Sequence, residues 1–177
     1  MLMVSVMAEG VTEAAMAFFR AHIAYAEAVV FAMGFAEGIP GLSLLVPSSP
    51  LFLGIGAMHG AAGGSFWHLW LPASIGAIIG DCVTYAVGRR YKDDAGRLPI
   101  LSRYPGWQTQ GQQLFERWGV LAVVGGKFLG FMRPFIPVVA GALEMPLWMF
   151  LPASIISSFA WAGTFLAPGY GIKWIIG

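Results

Sequence analysis

Four ionisable side chains stand where the neighbouring sequence offers them no water: Glu37, Asp81, Lys127 and Arg133 each lie inside a long apolar segment. A charge at mid-bilayer costs roughly 2.5 to 3.5 kcal/mol on insertion scales, so four of them facing lipid would lose on the order of 10 kcal/mol. They must turn inward, pair with one another or touch enclosed water. Two acids and two bases sum to a neutral cluster, and two roles are open to it. The pairs could only pin the fold, or the cations could hold an anion while an acid takes up a proton as the pocket loses water. Lys127 and Arg133 are six residues apart and would point to different sides of an unbroken helix of 3.6 residues per turn, so the backbone between them must bend. Gly130 and Pro134 supply the break. Cations beside half-helix N-termini and freed backbone N–H groups suit a phosphate or carboxylate. Substrate binding is therefore assigned to Arg133 and Lys127, and proton coupling or counter-charge to Glu37 and Asp81.

The other polar residues carry less. Glu27 opens the first apolar run and reads as a headgroup-level residue, and His59 and His68 flank a Gly-rich loop and read as interfacial. Glu144 precedes Pro146 and reads as a solvated turn or helix start. Cys82 lies within an apolar run and reads as a small core residue. The sequence holds no Ser/His/Asp order, no Gly-rich nucleotide loop and no metal-like His or Cys spacing. No enzyme activity, cofactor or metal is expected. A net charge of +1 without a clustered basic face argues against nucleic acid as a partner.

The elements that must position the four charges are read from hydropathy. With 58% hydrophobic and 11% charged residues, and a mean hydropathy of +0.72, the chain has too few polar side chains to cover a water-facing surface. It reads as an all-α integral membrane protein forming one membrane domain over residues 1–177. The N-terminus carries Glu9 and Glu13 but no Lys or Arg before its apolar stretch, the wrong sign for a cleaved signal peptide, and residues 11–22 suit a short interfacial helix. From Ala28 to Met58 the apolar run is broken by glycines and by Pro40, Pro47 and Pro50, which predicts a re-entrant hairpin of half-helices rather than a straight span. Ser65 to Gly88 is long enough to cross, with Trp67 and Trp70 at one end and Tyr85 and Tyr91 at the other. Arg89, Arg90, Lys92, Arg97 and Arg103 follow, and the positive-inside rule places this loop, about 89–106, in the cytoplasm. Gln108 to Trp118 is amphipathic. Val120 to Leu143 is again broken, by Gly130, Pro134 and Pro137 among others, and Pro146 to Tyr170 offers a second span, 25 residues without one charge.

The halves resemble each other. Leu71-Pro72-Ala73-Ser74-Ile75 recurs as Leu151-Pro152-Ala153-Ser154-Ile155, each time near the start of a span that follows a broken segment. Half-repeats of about 23–90 and 107–174, each a re-entrant hairpin plus a transmembrane helix, would face opposite ways if each crosses an odd number of times.

Residues from about 30 to 174 resemble the DedA (SNARE-associated, or VTT-domain) membrane proteins. The resemblance rests on Phe35-Ala36-Glu37 with Pro40 and Pro47, and on Gly80-Asp81 with Tyr85 and Gly88-Arg89. It continues through Lys127, Phe128, Gly130, Arg133, Pro134, Pro137 and Ala140-Gly141 to Trp161 and Gly169-Tyr170. It implies paired hairpins in inverted repeat in the cytoplasmic (inner) membrane. It also implies transport of a lipid-linked phosphate of the undecaprenyl-phosphate type, proton-coupled in bacterial members, with phospholipid scrambling in eukaryotic relatives. On that resemblance Glu37 matches an essential acid and Arg133 an essential arginine. Lys127 falls where the family usually has an arginine, keeping the charge but losing the bidentate fork. Ser49 stands where a second acid would fall, which leaves Asp81 as its possible replacement. The chain stops at Gly177, where members commonly continue into another helix. A structural or assembly protein without transport activity is the remaining alternative.

Overall fold

The computed structural model describes residues 23–45, 48–92, 106–129 and 132–176. The interfacial helix expected over 11–22, Pro47, Gly130 and most of the basic loop lie outside the described residues, as does the side chain of Ser49. Every regular element among the described residues is helical: α1 Ile23–Glu37, α2 Leu42–Leu45, α3 Ser48–Ala61, α4 Trp67–Tyr91, α5 Trp107–Trp118, α6 Leu121–Gly126, α7 Phe135–Ala142 and α8 Leu147–Ile176.

Two of these helices are long and apolar enough to cross a membrane, α4 throughout and α8 over Leu147–Gly171. Each stretch is 25 residues, about 37 Å at 1.5 Å per residue, against a hydrocarbon core of roughly 30 Å. Leu71, Ile75, Ile79 and Val83 recur every four residues on α4 and are exposed, an apolar stripe that suits acyl chains and not water. Helix α8 runs beyond the expected end at Tyr170.

The broken segments become short helices joined by turns. Gly38 to Gly41 forms the turn after α1, with Pro40 buried in it and Gly41 at φ +94°. Pro50 and Pro137, expected to interrupt helices, instead occupy the third residues of α3 and α7. An N–H in a first turn has no intrahelical partner, so proline starts these helices at no hydrogen-bond cost. Pro134 occupies the N-cap of α7. The described residues between α6 and α7, 127–129 and 132–134, are outside regular α-helix, as the spacing of Lys127 and Arg133 requires.

Helix pairs approach through glycine, as expected where close backbone contact replaces the hydrophobic effect. On the α1–α4 seam a Cβ at Gly76 would lie 2.1 Å from the Phe31 carbonyl oxygen. Helix α3 lies on α8, where a Cβ at Gly56 or Gly169 would come within 2.9 Å of the other helix's backbone. Helix α7 lies on α4 in the same manner: Gly88 faces the Val138 carbonyl and Gly141 the Tyr85 carbonyl, each leaving 2.1 Å for a Cβ.

Two apolar clusters result. One gathers Val30, Phe52, Leu69, Ala73, Ala77, Trp161, Ala162 and Leu166. The other gathers Tyr85, Val123, Ile136, Ala140, Phe150 and Ala153. Asp81 falls one turn from Ala77 and one from Tyr85, so it lies between the clusters.

Candidate functional site

All four of the charges Glu37, Asp81, Lys127 and Arg133 are buried, none more than 7% exposed. They form two ion pairs. The Lys127 ammonium lies 2.6 Å from Asp81 Oδ2 and donates to the Ser158 hydroxyl. Ser154 Oγ donates to the same Asp81 oxygen at 2.6 Å, and Ser158 Oγ donates to the Ser154 carbonyl at 2.6 Å. This pair is enclosed by partners on α4 and α8, which satisfies the condition under which buried charges are tolerated.

The second pair is different. Arg133 Nη1 contacts Glu37 Oε2, and the guanidinium lies 3.7 Å from the centre of the Trp161 ring. Nε and Nη2 of Arg133 are buried and have no hydrogen-bond partner among the described residues. Those two nitrogens share one edge of the planar guanidinium, the fork that accepts a carboxylate or phosphate side-on. An unsatisfied buried fork of this kind is costly and calls for a reason.

Each charge owes its place to a local feature. Glu37 ends α1, and the next residue, Gly38, packs so closely on Gly80 and Asp81 that a Cβ would fall within 2.8 Å of their backbone. Thr84 Oγ1 closes the seam by donating to the Gly38 carbonyl at 2.6 Å. Lys127 follows the last residue of α6, and Arg133 precedes the Pro134 cap of α7. Both cations reach α8, at Ser158 and Trp161, three residues or about 4.5 Å apart along the axis. Lys127 and Arg133, six residues apart in sequence, thus meet adjacent turns of one helix.

Sequence reasoning missed Ser154, Ser158, Thr84 and the stacking role of Trp161. Ser154, Ser157 and Ser158 follow i, i+3, i+4 spacing within a charge-free span, a polar face that could have been read as the lining opposite Asp81. His59, expected at the interface, is instead 1% exposed. Its ring meets Tyr170 edge-on, and Gly64 leaves only 2.2 Å between a Cβ and its Nε2. His68 remains near the surface, 3.8 Å from Glu27. Cys82 is only partly buried, packed against the second cluster. Glu144 sits in the turn between α7 and α8, half exposed, with Lys92 Nζ 3.0 Å away, and that hydrogen bond and charge hold its carboxyl below the usual glutamate value.

Helices that enclose paired charges and carry an apolar outer stripe fit the class of membrane proteins with an interior polar site, and similarity to known proteins narrows that class. The VTT domain family model matches residues 46–171, and the chain belongs to that family, the DedA membrane proteins. It is 29% identical over 152 residues to the inner membrane protein YabI of Escherichia coli, covering 86% of this chain and 60% of YabI. It is 39% identical over 100 residues to an uncharacterized membrane protein of Mycobacterium tuberculosis, covering 51% of this chain and 44% of the relative. The inner membrane protein YohD of Escherichia coli is 37% identical over 103 residues, covering 56% of this chain and 51% of YohD. The chain thus spans about half to three-fifths of the length of these relatives. No solved structure matches it.

Proposed function

We propose that the chain is a multi-pass inner-membrane carrier that flips a lipid phosphate, with the headgroup held on Arg133. The observation that carries this reading is the buried, unpartnered Nε/Nη2 edge of Arg133, fixed from one side by Glu37 and from the face by Trp161. A phosphate monoester matches that edge with two parallel charge-assisted hydrogen bonds. Glu37 is then the counter-charge that keeps Arg133 in place between substrates, and on protonation it releases the guanidinium to the phosphate. Lys127, one turn along α8, supplies a second positive charge once Asp81 is protonated or displaced. The lipid tail stays in the hydrocarbon.

The reading includes an inverted repeat of hairpin plus span. Its support is reciprocity in packing: the α3 arm of the first half lies on span α8 of the second, and the α7 arm of the second lies on span α4 of the first. Both seams are made by glycine against carbonyl oxygen. A site at the meeting point of two such halves is what alternating access requires.

The test is translocation of a lipid phosphate in proteoliposomes. Arg133→Ala is expected to lower the rate at least 100-fold and Arg133→Lys to restore only part of it; an unchanged rate with Arg133→Ala overturns the assignment. Exchange of ordinary phospholipids by the wild type, independent of a proton gradient, would make it a scramblase instead. A second reading, that the charges only lock the fold, is favoured by the fully partnered Asp81–Lys127 pair. Under it, Glu37→Arg combined with Arg133→Glu restores full function.

A further inference from the structure

A cavity of about 450 Å³ opens beside the second broken segment, between α5 and α6. Leu114 and Trp118 of α5 form one side, and Leu121, Gly125, Gly126 and Leu129 form the other. Its size falls within the range of small-ligand sites, and every residue named is apolar. We infer that this groove seats the hydrocarbon tail of the lipid whose phosphate is held at Arg133, an inference that rests on the carrier reading above.

Three observations support a tail as the occupant. First, the groove adjoins the charged site: Gly126 in its wall is followed directly by Lys127, whose side chain turns the other way into the pair with Asp81. One turn of chain therefore presents an apolar seat outward and a cation inward, the two ends of a lipid phosphate. Second, the groove lies where a lipid arrives. Helix α5 is amphipathic and packs on α7, where a Cβ on Gly111 would lie 2.4 Å from Val139. Its end carries Arg117 with its guanidinium 5.8 Å from the Trp118 ring, a pairing suited to headgroup level.

Third, the two glycines differ. A Cβ on Gly126 would fall 2.6 Å from Ile136, so packing within the protein accounts for that glycine. A Cβ on Gly125 would meet nothing within 4 Å, and its φ does not call for glycine. Glycine is the poorest helix former after proline, so its place in α6 has no packing reason among the described residues. An occupant lying across the wall supplies one.

The experiment uses the full chain in phosphatidylcholine vesicles with a phosphatidic acid that carries a diazirine on one acyl chain. After irradiation, adducts on Leu121 and Leu129 should exceed those on the lipid-facing α4 stripe, Ile79 and Val83, at least fivefold. Gly125→Leu, which adds its side chain into open space, should cut the groove adducts at least fivefold and leave the α4 adducts unchanged. Equal labelling of groove and stripe, or groove labelling untouched by Gly125→Leu, overturns the seat. The two readings fail separately. Groove labelling without any translocation by the wild type removes the carrier and keeps the seat, whereas translocation with even labelling removes the seat and keeps the carrier.

Discussion

Removing one member of the Asp81–Lys127 pair should destabilise the protein far more than removing both. Lys127→Met takes away the ammonium 2.6 Å from Asp81 and leaves a carboxylate, 2% exposed, with the Ser154 hydroxyl donating to it. An uncompensated buried charge costs about 3 to 5 kcal/mol. The lower figure is roughly a 140-fold fall in the folded-to-unfolded ratio at 1.4 kcal/mol per factor of ten. Asp81→Leu strands Lys127 on Ser158 and should cost about the same. The double variant exchanges the pair for apolar volume and is expected within about 1 kcal/mol of the wild type, or above it. Ser154→Ala removes one charge-assisted hydrogen bond from the same oxygen and should cost up to about 1.7 kcal/mol, the upper end for side-chain bonds within membranes. Unfolding by added SDS in mixed micelles, followed by tryptophan fluorescence, gives all four values. A double variant as unstable as the sum of the two singles would refute the coupling. If the double variant is stable but translocation is lost, the pair serves transport; if translocation persists, the pair is a lock.

Two further outcomes follow from other contacts. Gly141→Ala places a Cβ 2.1 Å from the Tyr85 carbonyl, so α4 and α7 must separate, and thermal melts in detergent should show a loss of about 1 to 3 kcal/mol. Gly54→Ala, with nothing within 4 Å, should instead be neutral or stabilising in the same melts. At Glu144, the lowered carboxyl contributes stability above the ordinary glutamate pKa, and that contribution is lost as pH falls through the lowered value. An NMR titration should find Glu144 deprotonating below an ordinary glutamate, with Lys92→Met returning it; no change with Lys92→Met would refute the contact.

Much of the helical arrangement was legible because hydropathy and proline placement act locally. The two spans follow from long apolar runs, one interrupted by Asp81 alone and the other without a charge from Pro146 to Tyr170, and the ends of the first from Trp67 and from the arginines after Gly88. The prolines were harder to read. Pro50 and Pro137 carry the same residue type as Pro40, yet they begin helices instead of interrupting them, because a few positions decide whether the missing N–H would have had a partner. Among the site residues, the four charges stood out because hydrocarbon gives them no solvent. Their pairing did not, since which acid meets which base depends on contacts between helices distant in sequence. Trp161 and the serines of α8 are ordinary residues for a span, and only the arrival of Lys127 and Arg133 on that face gives them a partner. His59 was misread for a related reason: burial came from Tyr170, more than a hundred residues later.

The clasp of α3 on α8 also sets a timetable for biogenesis. Gly56 rests on the backbone of Leu166, roughly 110 residues downstream, and at a synthesis rate of about 5 to 20 residues per second the ribosome needs on the order of 5 to 20 s to make that partner. Throughout that interval the nascent α3 has its glycine seam uncovered, so lipid or the insertion machinery must shelter it until α8 arrives.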